Sequence, residues 1–186
     1  SDGGNNWIIQ NTNSNYELNS VKFINDSIGW GVGFYYSDAS GIILSTTNGG
    51  SSWSPQTVQN EYGFYCVDFI DQNNGWIAQW NGRIIKTTDG GINWISQSLG
   101  TSANFHSICF KDQNNGWVSG EGGVIFHTTD GGNNWIWQSS GTSGHLYSLY
   151  FLDQNFGWAV GTAGLIIRTN DGGLNWVNES INPSYY

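Results

Sequence analysis

The chain has 186 residues, enough for one domain with a substantial core, and combines 16% aromatic with only 10% charged residues, 27 glycines, 11 tryptophans and no methionine. A formal net charge of −9, from 14 acids against five bases, argues against nucleic-acid binding, which wants a basic stripe, and against anionic membrane surfaces. High aromatic content at low charge excludes a disordered chain, and no apolar run approaches the ~20 residues of a membrane-spanning helix.

The chain starts at Ser1 with neither an initiator methionine nor a signal-peptide pattern, so a removed leader or a longer upstream region is expected. Asp2, Gly4 and Trp7 read as the tail of a motif that recurs four times downstream. Its copies are Thr46, Asn48, Gly50 and Trp53; Thr87, Asp89, Gly91 and Trp94; Thr128, Asp130, Gly132 and Trp135; and Thr169, Asp171, Gly173 and Trp176. The box tryptophans are 46, 41, 41 and 41 residues apart, and a second landmark, Gly-Trp, recurs at Trp30, Trp76, Trp117 and Trp158. A fixed period near forty residues defines a repeat architecture.

Each unit reads as four short strands. The first strands fall at residues 20–24, 66–70, 107–111 and 148–152, and the second begin at the Gly-Trp. Third strands follow at 82–86, 123–127 and 164–168, and the box turns the chain into a fourth, for example 93–97. The Asp-Gln-Asn-Asn-Gly runs that start at Asp71 and Asp112 supply the side-chain-to-backbone bonds and positive φ of tight hairpins. The predicted fold is all-β: a β-propeller, or propeller segment, of four ~41-residue four-stranded antiparallel blades plus one extra N-terminal strand at 6–10. The repeats fall near 13–58, 59–99, 100–140 and 141–181, with 1–12 the end of a preceding blade. A solenoid of parallel coils is the alternative, and the hairpin turns argue against it.

Two irregularities stand out. The first unit has five more residues than the others between Gly-Trp and box, placed in its second-to-third strand loop around Phe34, Tyr35, Tyr36 and Asp38, where a repeat protein commonly puts specificity. A fourth strand ahead of four full blades also leaves closure open among a segment of a larger propeller, a four-bladed ring and two chains completing one ring.

Ser/Thr-x-Asp-x-Gly-x-x-Trp, as at Thr87, Asp89, Gly91 and Trp94, resembles the Asp-box, or bacterial neuraminidase repeat. With the preceding Asn-Gly-Trp strand it is similar to the photosystem-II assembly/stability-factor-like propellers found in secreted bacterial proteins. The resemblance runs through essentially the whole chain and implies a propeller at an extracellular or cell-surface location. Its functional message is broad, because sialidases, sortilin-type receptors, xyloglucan-cleaving endoglucanases and assembly factors all carry the box.

The box itself has structural chemistry: Thr and Asp side chains bond a tight loop, Gly-Gly permits left-handed φ, and Trp buries. One aspartate per box is too few for calcium. Antiparallel alternation puts the second-to-third and fourth-to-first loops together on the opposite face. That face gathers Tyr16, Glu17, Tyr35, Tyr36, Asp38, Tyr62, Phe64, Tyr65, Trp80, His106, Glu121, His145 and Tyr147. Such rings beside carboxylates suit a glycan or a protein ligand, or simply cap the blades. The candidate binding residues are therefore Tyr35, Tyr36, Asp38, Tyr62, Tyr65, Trp80, His106, Glu121, His145 and Tyr147.

Sialidase chemistry, as the resemblance implies it, needs three arginines, and the chain has only Arg83 and Arg168. A two-carboxylate glycosidase would use Asp68 and Glu121. No zinc-ligand spacing or nucleophilic triad is apparent among His106, His127 and His145. Lys22 and Asp68 hold equivalent positions on adjacent inner strands, as an inter-blade salt bridge or a ligand contact. Cys66 and Cys109 form either one bridge or two buried thiols. The resulting expectation is a non-catalytic extracellular binding or scaffold propeller for a glycan or protein. It uses no cofactor or metal, binds no nucleic acid and inserts into no membrane. The alternatives are a polysaccharide hydrolase of the Asp-box type and a structural subunit that self-associates through open blade edges.

Overall fold

The computed structural model describes residues 4–6, 9–10, 15–56, 58 and 61–179. Strands β1 (Tyr16–Phe23), β2 (Gly29–Tyr35), β3 (Gly41–Thr46) and β4 (Ser54–Gln56) form the first blade. The second holds β5 (Phe64–Phe69), β6 (Gly75–Gln79), β7 (Arg83–Thr87) and β8 (Ile95–Ser98). The third holds β9 (Phe105–Phe110), β10 (Gly116–Gly120), β11 (Val124–Thr128) and β12 (Ile136–Ser139). The fourth holds β13 (Leu146–Phe151), β14 (Gly157–Gly161), β15 (Ile166–Thr169) and β16 (Val177–Asn178). Every sheet is antiparallel in sequence order, which rules out a solenoid and makes the chain a propeller segment. The truncated box at Asp2 and Trp7 lies outside the described residues, as does most of the extra strand expected at 6–10; the described Asn6, Ile9 and Gln10 are not in a strand.

Local chemistry explains each hairpin. The Asp71 carboxylate accepts the Asn73 and Asn74 N–H groups at 2.8 Å each, and Asn25, Asp112 and Asp153 repeat the turn. In the box, Thr128 Oγ1 accepts the Gly132 N–H at 2.8 Å and donates to Asp130 Oδ1 at 2.9 Å, and Asp130 Oδ1 takes the Asn134 N–H at 2.8 Å. Gly131 and Gly132 turn at φ +72° and +85°, and the Gly131 N–H ties the box to the Asn114 carbonyl of the neighbouring turn at 2.9 Å. Asn48 reproduces the aspartate's bonds, accepting from Thr46 Oγ1 at 2.9 Å and the Ser52 N–H at 3.0 Å.

The core lies between blades rather than within them. Three apolar clusters fill the three junctions, each joining one blade's Gly-Trp strand to the next blade's inner strand. Trp30 stacks on Phe69 at 3.6 Å, Trp76 on Phe110 at 3.6 Å and Trp117 on Phe151 at 3.7 Å. Their indole N–H groups donate to the box carbonyls of Gly90, Gly131 and Gly172. Each stack adds about 0.5–1.5 kcal/mol beyond the area it buries.

The inner strands begin two residues before the expected positions in the last three blades and four before in the first. Strict alternation breaks in each one at a bulge, between Leu18 and Ser20, Phe64 and Cys66, Phe105 and Ser107, and Leu146 and Ser148. The additional residues of the first unit lengthen β2 to seven residues and β3 to six, against five each for β6 and β7.

Candidate binding face

The bulge leaves one inner-strand residue per blade without a cross-strand partner: Asn19, Tyr65, His106 and Tyr147. These are equivalent positions of the repeat, at the end of the inner strands away from the boxes. Bulges re-aim side chains, and here they bring rings of adjacent blades together. The Tyr65 and His106 rings are 4.8 Å apart, His106 and Tyr147 5.4 Å, and His145 and Tyr147 6.4 Å. On the other side Tyr65 meets Trp80 at 6.0 Å, Trp80 meets Phe34 at 6.1 Å, and Phe34 meets Tyr36 at 6.2 Å. Seven rings thus make a continuous ribbon across all four blades.

Backbone bonds between loops hold the ribbon in place. Gly82 N–H donates to Ala103 O at 2.8 Å, Glu121 N–H to Asn104 O at 3.0 Å and Thr162 N–H to His145 O at 3.0 Å. A Cβ on Gly120 would lie 2.1 Å from Asn104 O and one on Gly161 1.9 Å from His145 O, so these two strands have no room for a side chain beside the bulge, where the second blade carries Gln79. Glu121 accepts the Asn104 backbone N–H at 3.2 Å and its side-chain amide at 3.1 Å.

Burial pushes the Tyr65 phenol above its ordinary value, and the nearby Glu121 charge adds to the rise while Trp80 opposes it. Burial lowers the His106 imidazole; the Glu121 charge pulls the other way, and His145 reinforces the drop. At neutral pH these rings present neutral stacking faces with polar edges.

Of the sequence candidates, Tyr36, Tyr65, Trp80, His106, His145 and Tyr147 join the ribbon, with Glu121 beside it. Tyr35 packs edge-on against Tyr16 at 5.8 Å and lines, with Asn15, Tyr36 and Ser37, a separate hollow of about 420 Å³. Asp38 spends its carboxylate inside its own loop, on the Ser40 N–H at 3.0 Å and hydroxyl at 2.7 Å. Tyr62 pairs with Ser40 and couples that loop to the next blade. Asn19 and Phe34 complete the arrangement and were not among the candidates. The repeat itself carried the signal for Asn19, which occupies the slot of Tyr65, His106 and Tyr147.

The other chemical candidates are committed to structure. Asp68 is buried against Lys22 Nζ at 2.7 Å and the Phe110 N–H at 2.7 Å, which makes Lys22–Asp68 an inter-blade salt bridge. His127 stacks on Trp117 at 4.5 Å. Cys66 and Cys109 are free thiols, and burial pushes both above the usual thiol range. Arg83 faces Glu61 at 3.7 Å and Arg168 pairs with Glu179 at 2.6 Å. Among the described residues no three His, Cys, Asp or Glu converge as a metal site.

Four consecutive four-stranded antiparallel sheets packed through aromatic junctions define a segment of a β-propeller. In agreement, residues 52–139 match the family described as photosynthesis system II assembly factor YCF48. A solved structure of YCF48 bound to D1 peptide is similar at 30% identity and TM-score 0.57, over 64% of this chain and 42% of that one. YCF48 from Cyanidioschyzon merolae aligns at 20% identity and TM-score 0.72, over 94% of this chain and 59% of that one. A GH74 enzyme from Niastella koreensis shares the fold at 15% identity and TM-score 0.72, over 90% of this chain and 30% of its own. The chain thus spans 42% and 59% of the lengths of the two YCF48 structures. No curated protein matches it.

Proposed function

We propose that this chain is a non-catalytic binding propeller segment whose ribbon of rings holds an extended polypeptide. The observation that carries the reading is the bulge repeated in all four inner strands, which turns Asn19, Tyr65, His106 and Tyr147 toward one face. An extended peptide advances about 3.3 Å per residue, so alternate side chains fall about 6–7 Å apart, close to the ring spacing. Tyr and Trp are the residues that anchor protein partners most often. The match to an assembly-factor family and the similarity to a YCF48 structure with a bound peptide support this reading. Hydrolysis is disfavoured because both candidate carboxylates, Asp68 and Glu121, are engaged in structural bonds.

The test is a fluorescence-polarisation screen of labelled extended peptides, with an oligosaccharide panel beside it because the same rings would stack on sugars. Binding of a peptide that falls at least tenfold in Tyr65→Ala, Trp80→Ala and Tyr147→Ala, with unfolding unchanged, is expected. Unaltered affinity in the triple variant, or capture of sugars but no peptide, overturns the assignment.

A further inference from the structure

Two rows of equivalent positions make the ribbon, and one slot breaks its pattern. The bulged row runs Asn19, Tyr65, His106 and Tyr147. The second row lies four residues past each Gly-Trp tryptophan and reads Phe34, Trp80, Glu121 and Thr162. In the second blade the two rows meet as rings, Trp80 against Tyr65 at 6.0 Å. In the third blade the residue that holds the place of Trp80, beside His106, is Glu121. An anion therefore stands in the aromatic row.

The fold fixes that anion without neutralising it. Glu121 opens the turn at 121–123, which packs on β13, the strand that carries Tyr147. Its two carboxylate oxygens take the Asn104 N–H at 3.2 Å and the Asn104 amide at 3.1 Å. Both donors are neutral, and a carboxylate has about four acceptor sites, so charge and acceptor capacity remain for a ligand. Burial raises the Tyr65 phenol and lowers the His106 imidazole; on both, the nearby Glu121 charge acts upward, so its field reaches the two rings. No free cation at this end of the molecule competes for it. Lys22, Lys86 and Arg168 pair across from Trp30, Trp76 and Trp158, and the Lys111 N–H bonds the Asn115 carbonyl, so these four lie in the box half of their blades. Arg83 lies at the ribbon end, facing Glu61 at 3.7 Å and donating to Ser96 Oγ at 2.7 Å. Among the described residues no ion pair engages Glu17, Asp38 or Glu121.

We infer that the polypeptide held by this face is basic, and that a lysine or arginine side chain of the partner brings its cation to Glu121, against the rings of His106 and Tyr147. Basic character is an addition to the peptide reading above and rests on it. A cation within about 6 Å of a ring centroid gains from the negative face of the ring, and a fixed carboxylate beside it adds an ion pair. Tyr147 is 54% exposed, so ring surface is open at this place. The rings on either side then carry the uncharged parts of the chain. An acidic segment would bring like charges together at Glu121, which turns such partners away.

Fluorescence polarisation tests it with labelled extended peptides, each uncharged sequence being made with lysine, acetyl-lysine, arginine, citrulline or glutamate at one central position. Acetyl-lysine and citrulline keep length and shape and remove the cation. In low salt the lysine and arginine forms should bind about three- to tenfold tighter than their neutral counterparts, with glutamate weakest. That preference should shrink as salt rises. In Glu121→Gln the advantage of the cation should vanish while the neutral peptides keep their affinity. A merely structural role for Glu121 gives a different result, because losing the Asn104 bonds would weaken every peptide alike. Should that variant fail to fold, the peptide pairs and the salt series on the unmodified chain decide. Equal affinity for lysine and acetyl-lysine forms overturns the basic assignment and leaves the peptide reading standing. Tighter binding of the glutamate forms, or a Glu121→Gln loss shared by all peptides, overturns it as well. If no peptide of any charge binds, the peptide reading falls and the basic assignment with it.

Discussion

Trp76 lies flat on Phe110 of the following blade, centroids 3.6 Å apart and planes 9° from parallel, while its indole N–H donates to Gly131 O at 3.0 Å. One side chain therefore supplies both the dispersion and the polar contact of a junction. The two parts separate by mutation. Trp76→Phe keeps a ring over Phe110 and leaves a buried carbonyl without its donor, for a loss of about 1–2 kcal/mol. Trp76→Ala empties the junction and costs about 3–5 kcal/mol. Urea unfolding midpoints distinguish the two, and equal losses would refute the division.

The box predicts a different ranking. Thr128 is buried, and its hydroxyl is the acceptor for the Gly132 N–H. Thr128→Val keeps the shape and strands that N–H, so it should destabilise by about 1–3 kcal/mol. Asp130→Asn should be far milder near neutral pH, because Asn48 already fills this role in the first blade with the same threonine and backbone partners. A larger loss in Asp130→Asn than in Thr128→Val, by thermal unfolding, would contradict this account.

Architecture was legible in the sequence because the box and the Gly-Trp pair are local devices. Asp130 and Thr128 find their partners within four residues, so a repeated string implies a repeated turn. Most of the ring-lined face was legible as well, since antiparallel alternation alone puts Tyr65, His106 and Tyr147 on one side. The early strand starts were hidden for a physical reason. A bulge is set by how two strands pair, and no single-strand pattern encodes it. Tyr35 and Tyr36 are neighbours in sequence, but strand parity sends Tyr35 to Tyr16 while Tyr36 meets Phe34.

Two glycines beside the bulge separate space from conformation. Gly120 has no room for a side chain, since a Cβ would press on the Asn104 carbonyl at 2.1 Å. Gly122, two residues on, has φ +66° with nothing within 4 Å of a Cβ. Gly122→Ala should cost only the left-handed penalty of about 1–2 kcal/mol and leave the His106 environment unchanged. Gly120→Ala must push the loop off the inner strand, shifting the His106 and Tyr65 ring resonances. Identical ring spectra in both variants would show that the close approach does not position the ribbon.

Stability should fall with acid in two stages. Burial lowers the His106 and His127 imidazoles in the folded chain, so the unfolded chain binds those protons first. Their contribution is present above the unfolded value of about 6.5 and begins to be lost as pH drops below it. Carboxylates act lower. The Asn93 N–H and side chain hold Asp89 at about 2, and the Asn134 amide and N–H hold Asp130 at about 2. Burial works upward on Asp112, but the Asn115 and Asn114 N–H groups outweigh it and bring that group to about 2 as well. These carboxylates stabilise above an unfolded value of about 3.9, and that stability disappears as pH falls toward 2. Unfolding midpoints should be level from pH 8 to about 6.5, decline gently toward 5, and drop steeply below about 4. His106→Gln should flatten the gentle limb, and Asp130→Asn should weaken the steep one. A midpoint that rises between pH 6.5 and 5 would reverse the sign assigned to the histidines.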